Sequence, residues 1–220
     1  MYADCLLQAV SSDEIQIDVA VSARDELLAK LNMYRLRAKV TIEPLDTPVF
    51  VAFDGLAPTG FLPDARGDIL QTPIAFAYSP QTANATLVDW TQFRFRHGLS
   101  DPGEDFTKDE LYAIDANLDL LGGIDFHKGC FVGQELTSRM KRRGQIKNRI
   151  LPLVHTGVLP IGAEVLQGDR RAGNLLASTE GASLALMRVD RLDGDLTCSD
   201  IPARLEIPLW VKPHIEIIQS

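Results

Sequence analysis

The sequence predicts an α+β region followed by a small antiparallel β domain, and two observations carry this prediction. The first part of the chain reads strand, strand, helix, strand, without the regular alternation that builds a parallel sheet. Beyond Asn148, short apolar runs are separated by Gly, Pro and Asp at regular spacing, as in a small barrel or sandwich. We place the domain boundary near residues 146–150, with the α+β region over 1–147 and the β domain over 148–220.

The opening elements follow from two periodicities. Residues 14–21 alternate apolar and polar positions, and together with 2–10 they predict a pair of strands joined by a short turn. A helix should begin at Ser22, which with Asp25 resembles a capping box, and should end near Arg37. Further strands are predicted over 39–43, 48–53 and 71–78.

A second helix is predicted over 86–97, because Gly98 occupies the position where glycine commonly ends a helix. Leu87, Trp90 and Phe93 lie roughly on one side of this helix, and we expect them to pack into the core rather than to stack on a ligand. The strands of the β domain are predicted over 150–155, 163–166, 172–178, 183–189, 196–198 and 204–207.

Composition excludes several classes of protein. The 220-residue chain is 45% apolar with a net charge of −8, and it has no apolar run of about 18 residues that would span a membrane. Its 3 cysteines cannot supply four thiolates, and its 4 histidines show no ligand spacing, so we predict no metal site. An acidic chain with one basic patch argues against direct nucleic-acid binding.

The start of the sequence predicts a location. Its first 14 residues have no basic n-region, no long apolar segment and no Arg-rich amphipathic pattern. We therefore expect neither a secretory signal nor a transit peptide, and we predict a bacterial cytoplasmic protein. The widely spaced cysteines fit a reducing compartment. A monomer is the default expectation.

Positive charge is concentrated between Lys128 and Arg149, which we call the basic segment. Seven Lys or Arg stand there against the single acid Glu135, which leaves +6 locally in an acidic chain. Such a segment focuses its field on anions and favours holding a negatively charged ligand or partner. Two alternatives stay open. The segment is either a solvated helix face, or it pairs with the 8 acids found between Asp101 and Asp125.

Cys130 lies inside the basic segment, two residues after Lys128. If the chain turns so that Cys130 stands near the start of a helix predicted over 134–140, unpaired backbone N–H groups and the Lys128 charge favour its thiolate. A thiolate is the nucleophilic and redox-responsive form of cysteine. The alternative is an inert buried thiol. Glu135 suits the dipole of this helix as well as it suits a functional role.

The run from Lys128 to Glu135, KGCFVGQE, resembles the K-G-C-[YF]-x-G-Q-E signature of the YgfZ family of folate-binding proteins. Two flanking segments are also similar to elements of the family, RFRHGL at 94–99 and DANLD at 115–119. Asp115 stands where the family usually has Glu, and Ala113 stands where a Pro is common. The resemblance extends from the early strands through the terminal β domain.

The resemblance implies a fold and a function. The fold would be an aminomethyltransferase-like α+β folate-binding domain, related to the aminomethyltransferase of the glycine cleavage system, followed by a small antiparallel β-barrel. Relatives carry additional residues before the position of Met1, so we expect the N-terminal part of the folate channel to be absent. The implied function is tetrahydrofolate-dependent support of iron–sulfur cluster assembly or repair, with tRNA-modifying enzymes among the clients. Reduced folate and the iron–sulfur assembly machinery are the implied cofactor and partners.

The resemblance also assigns site residues. Cys130 would be the reactive group, and Asn117 and Asp119 would be further cofactor-binding residues. The implied supporting shell consists of Lys128, Gly129, Gly133, Gln134, Glu135 and Arg139. Folate carboxylates suit cationic side chains, and a pterin needs amides or carboxylates as hydrogen-bonding partners. Two rival functions stay open: a folate-dependent one-carbon transferase, and a non-catalytic module that grips an acidic partner through its cationic helix.

Overall fold

The structure, a computed structural model, describes residues 4–107, 110–129, 135–142 and 146–219. Its residues group into two compact units. One unit joins the residues up to Thr47 to Asp101–Leu111, and the other joins Pro48–Ser100 to Tyr112–Ser220. This grouping describes compactness, and the domain boundary near 146–150 stays a prediction.

The first unit contains an antiparallel hairpin. Its strands are β1 (Cys5–Ala9) and β2 (Ile15–Val19), which confirms the predicted pair with shorter bounds. Because side chains alternate along a strand, Leu7, Ile15 and Ile17 share one face of this hairpin. Leu7 is 71% exposed and Ile15 is 66% exposed, so the apolar face of the hairpin is largely open.

Helix α1 (Val21–Tyr34) follows the hairpin and confirms the first predicted helix. Its predicted start is wrong, because Ser22 lies inside the first turn and the N-cap is Ala20, which makes no side-chain hydrogen bond. The helix also ends before Arg37. The strand predicted over 39–43 is wrong as well. Those residues are mostly exposed and pair with no described strand, so nothing completes a hydrogen-bond ladder there.

The second unit begins with a three-stranded antiparallel sheet. Its strands stand in the order β3, β5, β4, and they confirm the strands predicted over 48–53 and 71–78. A short helix, α2, lies between β4 and β5 in the chain, and a longer one, α3, follows the sheet. The bounds are β3 Phe50–Phe53, β4 Leu62–Pro63, α2 Arg66–Leu70, β5 Ile74–Ala77 and α3 Leu87–His97.

Helix α3 is closed at both ends by local hydrogen bonds. At its start the Thr86 hydroxyl oxygen accepts from the Asp89 backbone N–H at 3.2 Å, and the Thr86 backbone N–H donates to the Asp89 carboxylate at 2.7 Å. The bonds from Thr86 lower the pKa of Asp89. At its end Gly98 adopts a left-handed φ of 69°, which glycine tolerates without steric cost. The predicted helix and its terminal glycine are confirmed.

Aromatic rings join helix α3 to the sheet. Phe53 lies 5.3 Å from Trp90 and 5.1 Å from Phe93 between ring centroids, and Phe76 meets Trp90 edge-on at 6.4 Å. These contacts confirm the predicted packing role of Trp90 and Phe93. Leu87 does not share it, because it is 82% exposed at the first turn of the helix.

The second unit also contains a closed six-stranded antiparallel barrel. The strand order is β10-β11-β6-β9-β8-β7, which confirms the predicted strands and a barrel rather than a sandwich. The last strand lies three residues earlier than predicted. The bounds are β6 Asn148–His155, β7 Glu164–Gln167, β8 Arg170–Thr179, β9 Ala182–Arg188, β10 Leu196–Cys198 and β11 Ile201–Leu205.

Two helices flank the barrel in the chain, α4 (Glu135–Arg142) before it and α5 (Lys212–Gln219) after it. Helix α5 was not predicted, yet its Ile215 belongs to the barrel core. That core is built from side chains such as Leu151, Leu153, Val165, Leu175, Ala185, Met187, Leu196 and Cys198. Among the residues that the structure describes, no helix is long and apolar enough to cross a membrane.

Substitution of Gly173 should test the packing of the barrel. A Cβ at this position would stand 2.5 Å from the Leu186 carbonyl oxygen and 2.6 Å from the Met187 sulfur, so Gly173→Ala should destabilise the protein by about 1–3 kcal/mol. Gly55→Ala is the matched control, because nothing lies within 4 Å of its Cβ position. Urea unfolding of both variants measures the difference, and equal stabilities would contradict this packing.

Candidate functional site

Five of the nine assigned site residues belong to the signature run before helix α4. Lys128 and Gly129 are exposed, and Gly129 has a φ of +82°, a conformation that glycine adopts readily. Cys130, Gly133 and Gln134 lie outside the described residues. Their roles stay predictions.

Glu135 and Arg139 stand one turn apart on helix α4 and form an ion pair. The side chains are 68% and 57% exposed, respectively. An exposed pair at this spacing contributes only about 0.3–0.5 kcal/mol. A ligand therefore meets little energetic resistance when it competes for either partner, which fits a binding role for this face of the helix.

Asp119 makes a buried ion pair with Arg149, which lies near the start of strand β6. The Asp119 side chain is 0% exposed and that of Arg149 is 1% exposed. Arg149 Nη2 donates to Asp119 Oδ2 at 3.0 Å, and Nη1 donates to the other carboxylate oxygen, so the pair is bidentate. Two ions removed from water in this way need good geometry to offset their desolvation.

Further hydrogen bonds attach the loop before the signature to strand β6. Arg149 Nη1 donates to the Ile114 carbonyl at 2.7 Å, and the Asn117 side-chain amide donates to the Ile150 carbonyl at 2.8 Å. The Ile150 N–H donates to the Asp115 carbonyl at 2.8 Å. Asn117 reaches this position with a left-handed φ of 62°, which Asn tolerates better than most residues.

Lys141 connects helix α4 to the same carboxylate. Its Nζ lies 3.3 Å from Asp119 Oδ2 and 5.4 Å from the centroid of the Phe126 ring. The Lys141 side chain is 40% exposed, so it is the outermost member of the cluster. We call Asn117, Asp119, Lys141 and Arg149 the Asp119 network.

The Asp119 network tests two expectations from the sequence: charge pairing by the basic segment, and ligand contacts at Asn117 and Asp119. Pairing of the basic segment with the acidic stretch before it is confirmed at Asp119, which takes up the charges of Lys141 and Arg149. Asn117 and Asp119, assigned as ligand contacts, have their polar atoms engaged by the protein. A folate contact at either residue would have to displace these bonds.

Asp115 is a candidate that sequence analysis treated only as a departure from a motif. It is 4% exposed, and its Oδ2 accepts from the Tyr112 N–H at 3.3 Å. Among the described residues, its buried Oδ1 and the buried Nε of Arg149 have no hydrogen-bond partner. Burial raises the pKa of Asp115, which the Tyr112 N–H and the Arg149 charge oppose. An acceptor and a donor are thus left over at the edge of the Asp119 network.

The charges of the Asp119 network also affect His214 of helix α5. Partial burial lowers its pKa, and the positive charges of Arg149 and Lys141 add to this effect, while Asp119 opposes it. Over the described ranges, no group of three or more His, Cys, Asp or Glu side chains is placed to hold a metal ion.

Comparison with known proteins first identifies the barrel. Residues 147–213 match the family model of the CAF17 C-terminal β-barrel domain. The match covers strands β6 to β11, so the predicted barrel is confirmed as a domain of this type. The aminomethyltransferase-like character of the preceding residues stays a prediction.

Most of the chain is similar to proteins named as iron–sulfur cluster assembly factors. It is 30% identical to the mitochondrial IBA57 homologue of Pyricularia oryzae over 85% of this chain and 58% of that protein. It is 28% identical to mitochondrial IBA57 of Mus musculus over 83% of this chain and 59% of that protein. It is 32% identical to the mitochondrial IBA57 homologue of Coccidioides immitis over 62% of this chain and 38% of that protein. The chain thus spans roughly half the length of these relatives, and the matches support a related iron–sulfur assembly family without singling out YgfZ.

The predicted bacterial cytoplasmic location is wrong. The relatives described above, like a Homo sapiens protein that also matches, are eukaryotic proteins named as mitochondrial. The prediction treated the first residues of the chain as the place where a targeting signal would stand. Because the chain spans only part of its relatives, those residues carry no information about targeting.

Removal of the Asp119 charge should destabilise the fold strongly. Asp119→Asn leaves Arg149 buried without a counter-ion, and the expected loss is about 3–5 kcal/mol. The control is Asp190→Asn, because Asp190 pairs with Arg188 at an exposed site where the expected loss is at most about 1 kcal/mol. Chemical denaturation of both variants gives the comparison. A loss at Asp119 no larger than at Asp190 would show that the buried pair adds nothing.

Proposed function

We propose that this chain acts in iron–sulfur cluster assembly in mitochondria. The observation that carries the proposal is its similarity, over 80–85% of its length, to proteins named as mitochondrial iron–sulfur cluster assembly factors. The iron–sulfur cluster is cargo in this proposal, and the partners are assembly proteins and client enzymes, tRNA-modifying enzymes among them.

The reactive group in this proposal is the Cys130 thiol. The signature run that contains it is bracketed in sequence by Phe126 and helix α4, and Lys141 contacts Phe126 from that helix. The Asp119 network joins helix α4 to strand β6, because Lys141 and Arg149 meet at the Asp119 carboxylate. A reactive cysteine needs supporting groups that hold their positions, and anchored flanks meet this requirement.

We further propose that the site takes a reduced folate, which supplies a carrier of one-carbon units. The described residues offer two features that fit its chemistry. Lys128 and Arg139 are exposed cations near the signature, suited to the glutamate carboxylates of folate. Asp115 Oδ1 and Arg149 Nε are a buried acceptor and a buried donor without hydrogen-bond partners among the described residues, and the polar edge of a pterin that entered beside them would satisfy both.

Replacement of Cys130 should abolish cluster assembly without unfolding the protein. We expect Cys130→Ser to fail to restore iron–sulfur enzyme activity in cells that lack their own mitochondrial assembly factor of this type. Its melting temperature should stay within about 2 °C of that of the unchanged chain, since a Ser differs by one atom. Cys5→Ser is the control and should restore activity. Full activity of Cys130→Ser would reject a reactive thiol, and failure of the unchanged chain would reject the function.

Tetrahydrofolate should stabilise the chain in a saturable manner. At a concentration 100 times the dissociation constant, a ligand that binds only the folded state adds about 2.7 kcal/mol of stability. Thermal unfolding against tetrahydrofolate, kept reduced under anaerobic conditions, measures this effect. Asp115→Asn should weaken binding, while the exposed control Asp193→Asn should not. No stabilisation of the unchanged chain would reject the folate proposal and leave the assembly role to the complementation experiment.

A further inference from the structure

One side of helix α4 contacts the rest of the chain through Lys141, and another side, with Glu135 and Arg139, is exposed. Residues 135 and 139 share one face because four positions are about 400° of helical rotation, whereas Lys141 lies about 200° beyond Arg139. The contacts agree with this geometry. Lys141 reaches Asp119 and the Phe126 ring, while Glu135 and Arg139 pair with each other at 68% and 57% exposure.

The two cations of the Asp119 network have different tasks in this geometry. Arg149 is 1% exposed, binds Asp119 through two nitrogens and also satisfies the Ile114 carbonyl. Lys141 makes one contact to the same carboxylate and is 40% exposed. Removal of Lys141 leaves Asp119 paired with Arg149, so the folded state keeps its buried charges balanced. What the chain loses is an ion pair that links helix α4 to the loop that carries Asp119.

We propose that Lys141 is a positioning residue that anchors helix α4 so that Arg139, on its exposed face, meets an anionic ligand. The ligand part of this inference rests on the proposed folate site, and the anchoring part does not. Lys141 makes no contact with the ligand in this proposal. It acts by raising the fraction of molecules in which the helix is docked, and apparent affinity falls in proportion when that fraction falls.

Hydrogen exchange of helix α4 tests the anchoring directly. We expect amides of residues 139–142, which bond within the helix, to exchange up to about fivefold faster in Lys141→Met, because loss of a partly exposed ion pair shifts a local opening equilibrium by up to about this factor. Lys141→Arg should restore the rate, since arginine can reach the same carboxylate. Lys147→Met removes an exposed lysine of the same segment and should leave the rate unchanged. Equal exchange in Lys141→Met and the unchanged chain would overturn the proposal.

Tetrahydrofolate affinity tests the ligand part with the same variants. The dissociation constant should rise in Lys141→Met by the same factor by which the docked fraction of helix α4 falls, return in Lys141→Arg and stay constant in Lys147→Met. A lysine that touched the ligand would also be missed by molecules whose helix is docked, so its removal would weaken binding by more than the docked fraction falls. A rise in the dissociation constant of Lys141→Met larger than the fall in the docked fraction would therefore overturn the positioning role. If the unchanged chain fails to bind tetrahydrofolate, the folate site is rejected, and so is the role of Lys141 in folate binding. Hydrogen exchange then tests the anchoring of helix α4 by itself.

Discussion

The buried pair between Asp119 and Arg149 is the constraint on which the region before the barrel depends. Strand β6 begins with a guanidinium that is almost completely removed from water. Such a group must have a carboxylate and further acceptors in place, because an unpaired buried charge costs several kcal/mol. The loop from 112 to 119 meets that demand, and the left-handed backbone at Asn117 is one price of its course. Lys141 pairs with the same carboxylate. The position of helix α4 therefore depends on the Asp119 side chain that Arg149 of strand β6 holds in place.

The barrel and helix α3 were predictable because their signals are local. Alternating apolar positions define the strands, and Thr86, Asp89 and Gly98 mark the helix ends within a few residues of each other. Ser22 shows where this reasoning fails. A serine followed by an acid three positions later forms a capping box only if the serine itself has extended backbone angles, and here Ser22 is already helical because the helix begins at Val21.

The Asp119 network was not predictable in the same way. A count of charges treats Arg149 like the other six cations of the basic segment, although its neighbours Ile150 and Leu151 announce a buried strand. Whether a polar side chain binds a ligand or another part of the chain depends on contacts across about 30 residues, which spacing does not encode. The motif around Asn117 and Asp119 was recognised, and the structure adds that its polar atoms hold the loop to the barrel. In the hairpin, likewise, alternation identified the apolar face but not that Leu7 and Ile15 would stay exposed.

The Asp119 network also carries unequal charge, because one carboxylate meets two cations. Partial burial lowers the pKa of His214, and the positive charges of Arg149 and Lys141 lower it further. Near neutral pH this ring therefore keeps a nitrogen lone pair available. His214 of helix α5 is therefore a hydrogen-bond acceptor, rather than one more cation, for a group that binds beside it.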